Sequence, residues 1–416
     1  MVSVSKYKWF SDLDLIKILS LLNQGGDKSC VVGGAIRNSL MDFEVKDIDI
    51  ATTILPNVVM KILSKTNYKV IPIGISYGTV KVIARDKNFD ITTLRSDFIT
   101  YGRRAQVVFT NNWHVDALRR DFTINALYAD QQGQVMDYVD GLTDIKNRTI
   151  KFIGDADKRI AEDYLRILRL FRFSAHYGKG KIDPDGLDAT IRAKKNLKTL
   201  SAERIWSEIH RLLEAEDPVY VMSCMHDTGI LKEIFPLIQD FSMDKFSLMV
   251  SGEKKFGWTV DSLLRFIALI PLQDRQSVVF MAKKICLPRQ IKNLFISCVQ
   301  CNIHENFSKK EINKLIYLHG KKAVEKKIKL FLALNDNQVD LKCTQKILKI
   351  LEDIPSWVEP VFPLTGNDVL KTGISQGKRV GKILSFLKKK WIDSGFQFSH
   401  EELLNHLNEL VKNSSK

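Results

Sequence analysis

Val31-Val32-Gly33-Gly34-Ala35-Ile36-Arg37, followed by Lys46-Asp47-Ile48-Asp49-Ile50-Ala51-Thr52, is the stretch on which the fold turns. Its first half reads as a strand running into a Gly-Gly turn and then a helix. Glycines let backbone come close to a phosphate, a helix start presents unpaired N–H groups, and Arg37 adds a two-pronged donor. In the second half the residues alternate with the period of a strand. Asp47 and Asp49 then share one face, about 7 Å apart at the rise of a strand, while Ile48 and Ile50 face a core. Two carboxylates side by side repel unless a cation sits between them, and a divalent metal resolves that conflict. Asp90, in Phe89-Asp90-Ile91-Thr92, alternates in the same way on a later strand and is a third candidate oxygen ligand. Such a carboxylate set behind a phosphate-holding turn suits metal-assisted, in-line phosphoryl transfer.

Outward from this stretch, the chain to about residue 145 is a series of short apolar runs. Tyr68 to Ile73, Thr79 to Ala84 and Phe89 to Leu94 are β-branched and separated by turn residues, with a helical stretch at Pro56 to Ser64. This is a mixed unit built on one sheet. After about residue 150 the apolar period changes to three and four, as at Ile160, Leu165, Leu168, Phe171 and in Arg204 to Leu213, Pro288 to Ile296 and Lys309 to Leu334. Residues 150–416 are therefore expected to be α-helical, which makes the chain α+β.

The 416 residues carry 63 Lys+Arg against 48 Asp+Glu, a formal charge of +15. By segment the excess is +3 for 1–150, +5 for 151–300 and +7 for 301–416, so a polyanion is expected at the far end. With 45% hydrophobic and 27% charged residues, a disordered tail or a disulfide scaffold is excluded. No apolar run is long enough for a membrane span, and Met1 to Lys6 lack the pattern of a secretory leader, so secretion is not expected. The six scattered cysteines fit reduced thiols, so a cytoplasmic protein is expected.

The quoted stretch resembles the first motif of the bacterial tRNA nucleotidyltransferase (CCA-adding, class II) and poly(A) polymerase family. Leu118-Arg119-Arg120-Asp121-Phe122-Thr123-Ile124-Asn125-Ala126 is similar to the second. Gly154-Asp155-Ala156 and Ala161-Glu162-Asp163-Tyr164-Leu165-Arg166-Ile167-Leu168-Arg169 resemble the next two, and Ser201-Ala202-Glu203-Arg204-Ile205 the last. They stand in the family's order across residues 31–213; beyond, the likeness thins to Pro363-Leu364-Thr365-Gly366-Asn367-Asp368 and a Gly-rich turn near Gly373–Gly381.

The resemblance implies a polymerase-β-like nucleotidyltransferase head with a mixed sheet (1–145) and an all-α neck that reads the base (146–215). A helical body (216–350) and a helical, tRNA-binding tail (351–416) would follow. It implies template-independent addition of CCA to tRNA from CTP and ATP with release of pyrophosphate, by a two-metal mechanism in which Asp47 and Asp49 hold two Mg²⁺ ions and Asp90 helps. Gly33, Gly34 and Arg37 would hold phosphates. Arg119, Arg120, Asp121 and Asn125 would meet triphosphate and ribose, with Asp121 and Asn125 at a ribose hydroxyl. Arg169 and Arg172 continue a row begun by Arg166 and would face primer phosphates or solvent.

Asp163 and Arg166, three apart on one expected helix, would select the base. Cytosine and adenine both present an amino donor beside a ring-nitrogen acceptor, which suits a carboxylate beside a guanidinium. Guanine and uracil present the reverse, and each buried mismatch of polar groups costs about 1–3 kcal/mol. Arg119 to Asn125 are expected to open a helix, with an acid in its first turn.

Asn38 stands where many members carry Asp, and Asp90 where Glu is frequent; neither change should abolish catalysis. Ser96 to Ala105 looks like the loop that members adding full CCA retain, so complete addition is expected. Poly(A) polymerase and CC-only or A-only addition remain the alternative activities, and a catalytically dead RNA-binding protein is a rival of another class. Cys298-Val299-Gln300-Cys301 lacks the second pair that a zinc site needs, and His226-Asp227 lacks further ligands for a phosphohydrolase. The basic runs Lys321-Lys322, Lys326-Lys327 and Lys378 to Lys390 are candidate tRNA contacts. The oligomeric state is left open.

Overall fold

A computed structural model describes residues 2–413 except 27, 102–103, 237, 239, 271–274, 306 and 336–339, and gives backbone alone at 97–106 and 413. The chain forms two compact units, residues 1–243 with 260–262, and residues 244–259 with 263–416.

The first unit is built on a seven-stranded sheet in the order β3-β4-β5-β2-β1-β8-β9. Its strands are β1 (Ser29–Val32), β2 (Ile48–Thr52), β3 (Lys69–Gly74), β4 (Thr79–Ala84), β5 (Lys87–Thr93), β8 (Leu127–Ala129) and β9 (Val135–Asp137). Between β5 and β8, β6 (Arg95–Tyr101) and β7 (Arg104–Phe109) make a separate antiparallel hairpin. Ser96 to Ala105, expected as a loop, lies mostly within these two strands; its tip, Gly102 and Arg103, is outside the described residues. All sheet neighbours are antiparallel except β2 and β5, which run parallel.

Burial alternates as the sequence alternates. Val80, Val82 and Ala84 of β4 and Phe89, Ile91 and Thr93 of β5 are buried, leaving Lys81 and Asp90 on the opposite face. Burying Phe89 and Ile91 stabilises by about 1.5–3 kcal/mol each. A slip of one residue would put those side chains in water and the charges in the core, so the register is firmly set. Helices α1 (Leu13–Leu22), α2 (Gly34–Leu40) and α3 (Pro56–Leu63) pack on the sheet, through Leu15, Ile18, Ile36, Val59 and Leu63. On another part of the sheet, Cys30, Val32, Ala51 and Tyr128 cluster with Ala117 of α4 (Trp113–Leu118).

After β9 the unit is helical: α5 (Gly141–Asn147), α6 (Ala156–Glu162), α7 (Leu165–Tyr177), α8 (Pro184–Ala193) and α9 (Ala202–Leu213). Asp155 caps α6 by accepting from Lys158 N–H at 2.8 Å, and Asp183 caps α8 at Gly186 N–H, also at 2.8 Å, ahead of Pro184. Each such cap satisfies an amide that the helix start leaves unpaired. Helices α7 and α9 pack together, with Ile167, Leu168 and Phe171 of one and Ile205, Ile209 and Leu212 of the other buried.

The second unit is helical. Its helices at Met243–Phe256 and Lys321–Leu334 approach closely, because a Cβ on Gly252 would stand 2.6 Å from that of Ala333. Arg265, fully buried, donates to Glu253 at 2.7 Å inside it. The run expected as one helix from Lys309 to Leu334 breaks at Gly320, whose φ is +83°. Cys301 lies in an apolar cluster with Phe307, Ile316 and Val324, and burial pushes its thiol up to about 11; such a thiol is inert. Leu387, Trp391, Leu403 and Leu407 form a further core toward the C-terminus. Among the described residues no helix is long and apolar enough to cross a membrane.

Candidate active site

Lys81, Asp90, Asp49, Val32 and Tyr128 form one lateral row across β4, β5, β2, β1 and β8, each paired with the next by register. Neighbouring strands lie about 4.8 Å apart, so Asp49 and Asp90 stand side by side on one face. Asp47 precedes the first residue of β2 and lies two residues before Asp49. The alternation of Asp47 to Ile50 thus puts the acids where the sequence placed them, although the strand starts one residue later than Asp47.

Asp49 is exposed as a residue, yet surrounding protein atoms desolvate its carboxyl. Its carboxyl is raised above the ordinary value by that desolvation first, then by Asp90 and Asp47, while Arg120 and Lys81 pull it down. Asp90 Oδ1 is buried and lies 3.2 Å from Lys81 Nζ without hydrogen-bond geometry. A repelled carboxylate beside a neighbour with an unsatisfied oxygen fits a hard, oxygen-seeking cation. Among the described residues no three His, Cys, Asp or Glu side chains already converge as a ligand set.

Gly33 caps α2 with φ +73°, a conformation that glycine adopts at little cost. A Cβ there would come within 3.2 Å of Asn125 O and 3.7 Å of Arg120 Nη1. Gly34 begins α2. Arg37, expected at phosphate, is buried, and its nitrogens are engaged. Nη1 donates to Asn125 Oδ1, and Nη2 donates to Asn38 Oδ1 at 2.7 Å and to Tyr177 hydroxyl at 2.9 Å. Its guanidinium stacks 4.3 Å from the Tyr177 ring centroid, a cation–π contact. Asn38 uses both ends of its amide, accepting from Arg37 and donating to Glu44 O at 2.8 Å. A carboxylate in that position could only accept.

Arg119 to Asn125 do not open a helix. Arg119 ends α4, Phe122 is extended, and Thr123–Asn125 is a single 3-10 turn. The turn is dictated by Asp121, whose Oδ1 accepts from Phe122 N–H at 2.9 Å and Asn125 Nδ2 at 3.2 Å. Asp121 Oδ2 accepts from Arg169 Nε at 2.6 Å. Burial raises the Asp121 carboxyl, but Arg169, Asn125 and the Phe122 amide outweigh it and hold it at about 2. Arg119 and Arg120 both pair with Asp116.

Nor do Asp163 and Arg166 share a helix. Asp163 is extended, at φ −155° and ψ 106°, in the break between α6 and α7. Its Oδ1 accepts from Leu165 N–H at 3.1 Å, which starts the next helix and explains the break. Its Oδ2 accepts from Arg204 Nη2 at 2.6 Å. Arg166 donates instead to Arg159 O at 2.7 Å and pairs with Glu162. Arg169 reaches toward Glu208 as well as Asp121, and Arg172 Nε lies 3.2 Å from Glu208 Oε2. Burial lowers Arg172 to about 10 despite Glu208.

Among the residues of this site not singled out from sequence are Asp116, Tyr177, Arg204 and Glu208. Arg204 lay in plain view inside Ser201 to Ile205, and Asp116 stands three and four residues before the arginines it holds. Tyr177 and Glu208 carried no local signal.

Residues 29–151 match the family described as the Poly A polymerase head domain, and residues 181–242 that described as the probable RNA and SrmB-binding site of polymerase A. The chain is 32% identical to the human mitochondrial CCA tRNA nucleotidyltransferase 1, covering 91% of this chain and 86% of that protein. It is also 32% identical to the CCA-adding enzyme of Oceanobacillus iheyensis, over 85% of this chain and 86% of that one. The fold resembles the CCA-adding enzyme of Bacillus stearothermophilus in complex with CTP, with a TM-score of 0.75 at 23% identity over 96% and 97% of the two chains. The Thermotoga maritima enzyme complexed with tRNA gives 0.62 at 20% identity, over 96% of each chain. Enzymes of this kind use a divalent metal. The chain belongs to the family of CCA-adding tRNA nucleotidyltransferases and is a nucleotidyltransferase.

Proposed function

We propose that this enzyme adds C, C and A to the 3′ end of tRNA from CTP and ATP, releasing pyrophosphate. The 3′ hydroxyl oxygen of the tRNA attacks the α-phosphorus, and the bond from that phosphorus to the oxygen bridging to the β-phosphate breaks. One observation carries the reading: Asp49 and Asp90 stand side by side on parallel strands, with Arg120 and Lys81 as the nearby cations.

Asp47 and Asp49 would hold Mg²⁺, with Asp90 beside them. Bound there, Mg²⁺ supplies Lewis acidity and offsets charge on the triphosphate. Gly33 N–H is taken by Leu127 O, so the start of α2 at Gly34 is what would face phosphate oxygens, and Arg120 brings a guanidinium beside the turn. Asp121 and Asn125 suit a ribose hydroxyl, and Arg37 holds Asn125 from behind. Asp163 and Arg166 suit the pairing edge shared by cytosine and adenine, Asp163 accepting from the amino group and Arg166 donating to the ring nitrogen. Arg169 would then act largely through Asp121.

We keep the division into head 1–145, neck 146–215, body 216–350 and tail 351–416, although the two compact units divide inside that body, at 243–244. The basic runs at Lys321 to Lys327 and Lys378 to Lys390 are its tRNA-contacting surfaces, and the cytoplasm is its compartment.

The test offers tRNAs ending before CCA, after CC and after CCA, with each nucleotide in turn, and sizes the products. Growth by CCA and then arrest is expected. A long A tail marks a poly(A) polymerase, and arrest after CC a partial enzyme; either overturns the reading.

A further inference from the structure

Asp116 is fully buried beside the proposed site, in none of the residue sets that the proposed chemistry uses. Its Oδ1 accepts from Arg119 Nε at 2.8 Å and lies 2.7 Å from Arg119 Nη2. Its Oδ2 accepts from Arg120 Nε at 3.2 Å, Arg120 Nη2 at 3.1 Å and the Tyr128 hydroxyl at 2.7 Å. Oδ1 also accepts, at 3.3 Å, from the backbone N–H of Arg95, the first residue of β6. One carboxylate thus anchors two adjacent guanidinium groups, a phenol and the root of the hairpin.

The consequence lies in Arg120. With Nε and Nη2 turned to Asp116, the third arm, Nη1, is the one that approaches the Gly33 turn, within 3.7 Å of a Cβ placed there. The same cation acts on the Asp49 carboxyl. A guanidinium gripped on one edge by a buried carboxylate loses its rotational freedom before any ligand arrives, so its remaining edge is preorganised. The Tyr128 ring, 5.4 Å from the Arg120 guanidinium carbon, backs the same arrangement.

We propose that Asp116 is a positioning residue for the nucleotide triphosphate, aiming Arg120 into the space between the Gly33–Gly34 turn and Asp49. The inference rests on the nucleotidyl-transfer reading above and names a residue which that reading does not require. Because Arg95 shares the anchor, the root of the β6–β7 hairpin is tied to the same aim.

Asp116→Asn keeps the shape but cannot hold two cations. Its KM for CTP and for ATP should rise together by about tenfold or more, with KM for tRNA unchanged and KM for pyrophosphate in the reverse reaction rising in parallel. Asp116→Glu should recover part of the loss. Tyr128→Phe, which removes one hydroxyl and leaves both ion pairs, should raise the same constants about twofold to fivefold. Wild-type nucleotide and pyrophosphate KM values in Asp116→Asn, with only a lower melting temperature, would overturn the proposal. If Asp116→Asn does not fold, unchanged constants in Tyr128→Phe would overturn it. Calorimetric titration of CTP into the metal-loaded enzyme separates the two readings. A wild type that binds CTP but extends no tRNA fails the proposed function, whereas Asp116 is judged by CTP affinity alone.

Discussion

Asp163 is held by Arg204, whose Nη2 lies 2.6 Å from its Oδ2 across 41 residues of sequence, and not by Arg166 three residues away. The carboxylate assigned to base selection is thereby fixed from α9, while Arg166 is fixed from α6 through Glu162. The two groups proposed to read the base have independent supports, so they can be perturbed separately.

Arg204→Met should leave Asp163 free to turn. Selection against GTP and UTP relative to CTP is expected to fall about tenfold or more, the worth of one misdirected buried acceptor. Primer extension with four nucleotides in competition measures it. Undiminished rejection would remove Arg204 from specificity.

The Asp121–Arg169 pair makes stability depend on pH at the acid end. The folded carboxyl sits at about 2 against an unfolded value of 3.8, so its contribution is present above 3.8 and lost as pH falls toward 2. That contribution is about 2 kcal/mol. In urea melts of the first unit between pH 5 and pH 2, Asp121→Asn should start less stable and lose less on acidification. Parallel curves for variant and wild type would contradict this.

Asp49 works in the opposite sense. Its raised carboxyl favours the protonated native state, so its stabilising effect is present below the unfolded value and is lost as pH rises through the folded one. At neutral pH without metal, the ionised group is a cost. Asp49→Asn should therefore raise the metal-free melting temperature while abolishing turnover, and Mg²⁺ should raise the melting temperature of the wild type alone. Calorimetric melts with and without Mg²⁺ decide the matter. Equal gains in both proteins would count against Asp49 as a ligand.

In the second unit, Arg265 and Glu253 are almost wholly removed from water. Breaking a buried ion pair of this kind costs about 3–5 kcal/mol. Glu253→Gln should unfold that unit at markedly lower urea while the first unit's transition stays put. A fluorescence melt showing no shift would contradict this.

What could be read in advance follows the range of the physics. Alternation in Asp47 to Ile50 and Phe89 to Thr92 is local, so strands and their acid faces were legible, and the parallel register then brought Asp49 beside Asp90. Pairings over long sequence distances were not legible. Arg37 looked like a phosphate donor from its neighbours, yet its partners Asn125 and Tyr177 come from far along the chain. The break at Asp163 was not legible because an apolar period of three and four continues across it unaltered. The signal that was available was Asp163 itself, a side chain suited to accept from the next helix's first amides. Gly320 was a similar unread stop between two helices.

The central claim is that the acids at the start of β2 hold the metal for nucleotidyl transfer. Single-turnover incorporation of CTP into tRNA lacking CCA, by Asp47→Ala and Asp49→Ala at saturating Mg²⁺, tests it most directly. The account predicts a loss of about a thousandfold or more in each. Incorporation within a few-fold of wild type in either variant would contradict it.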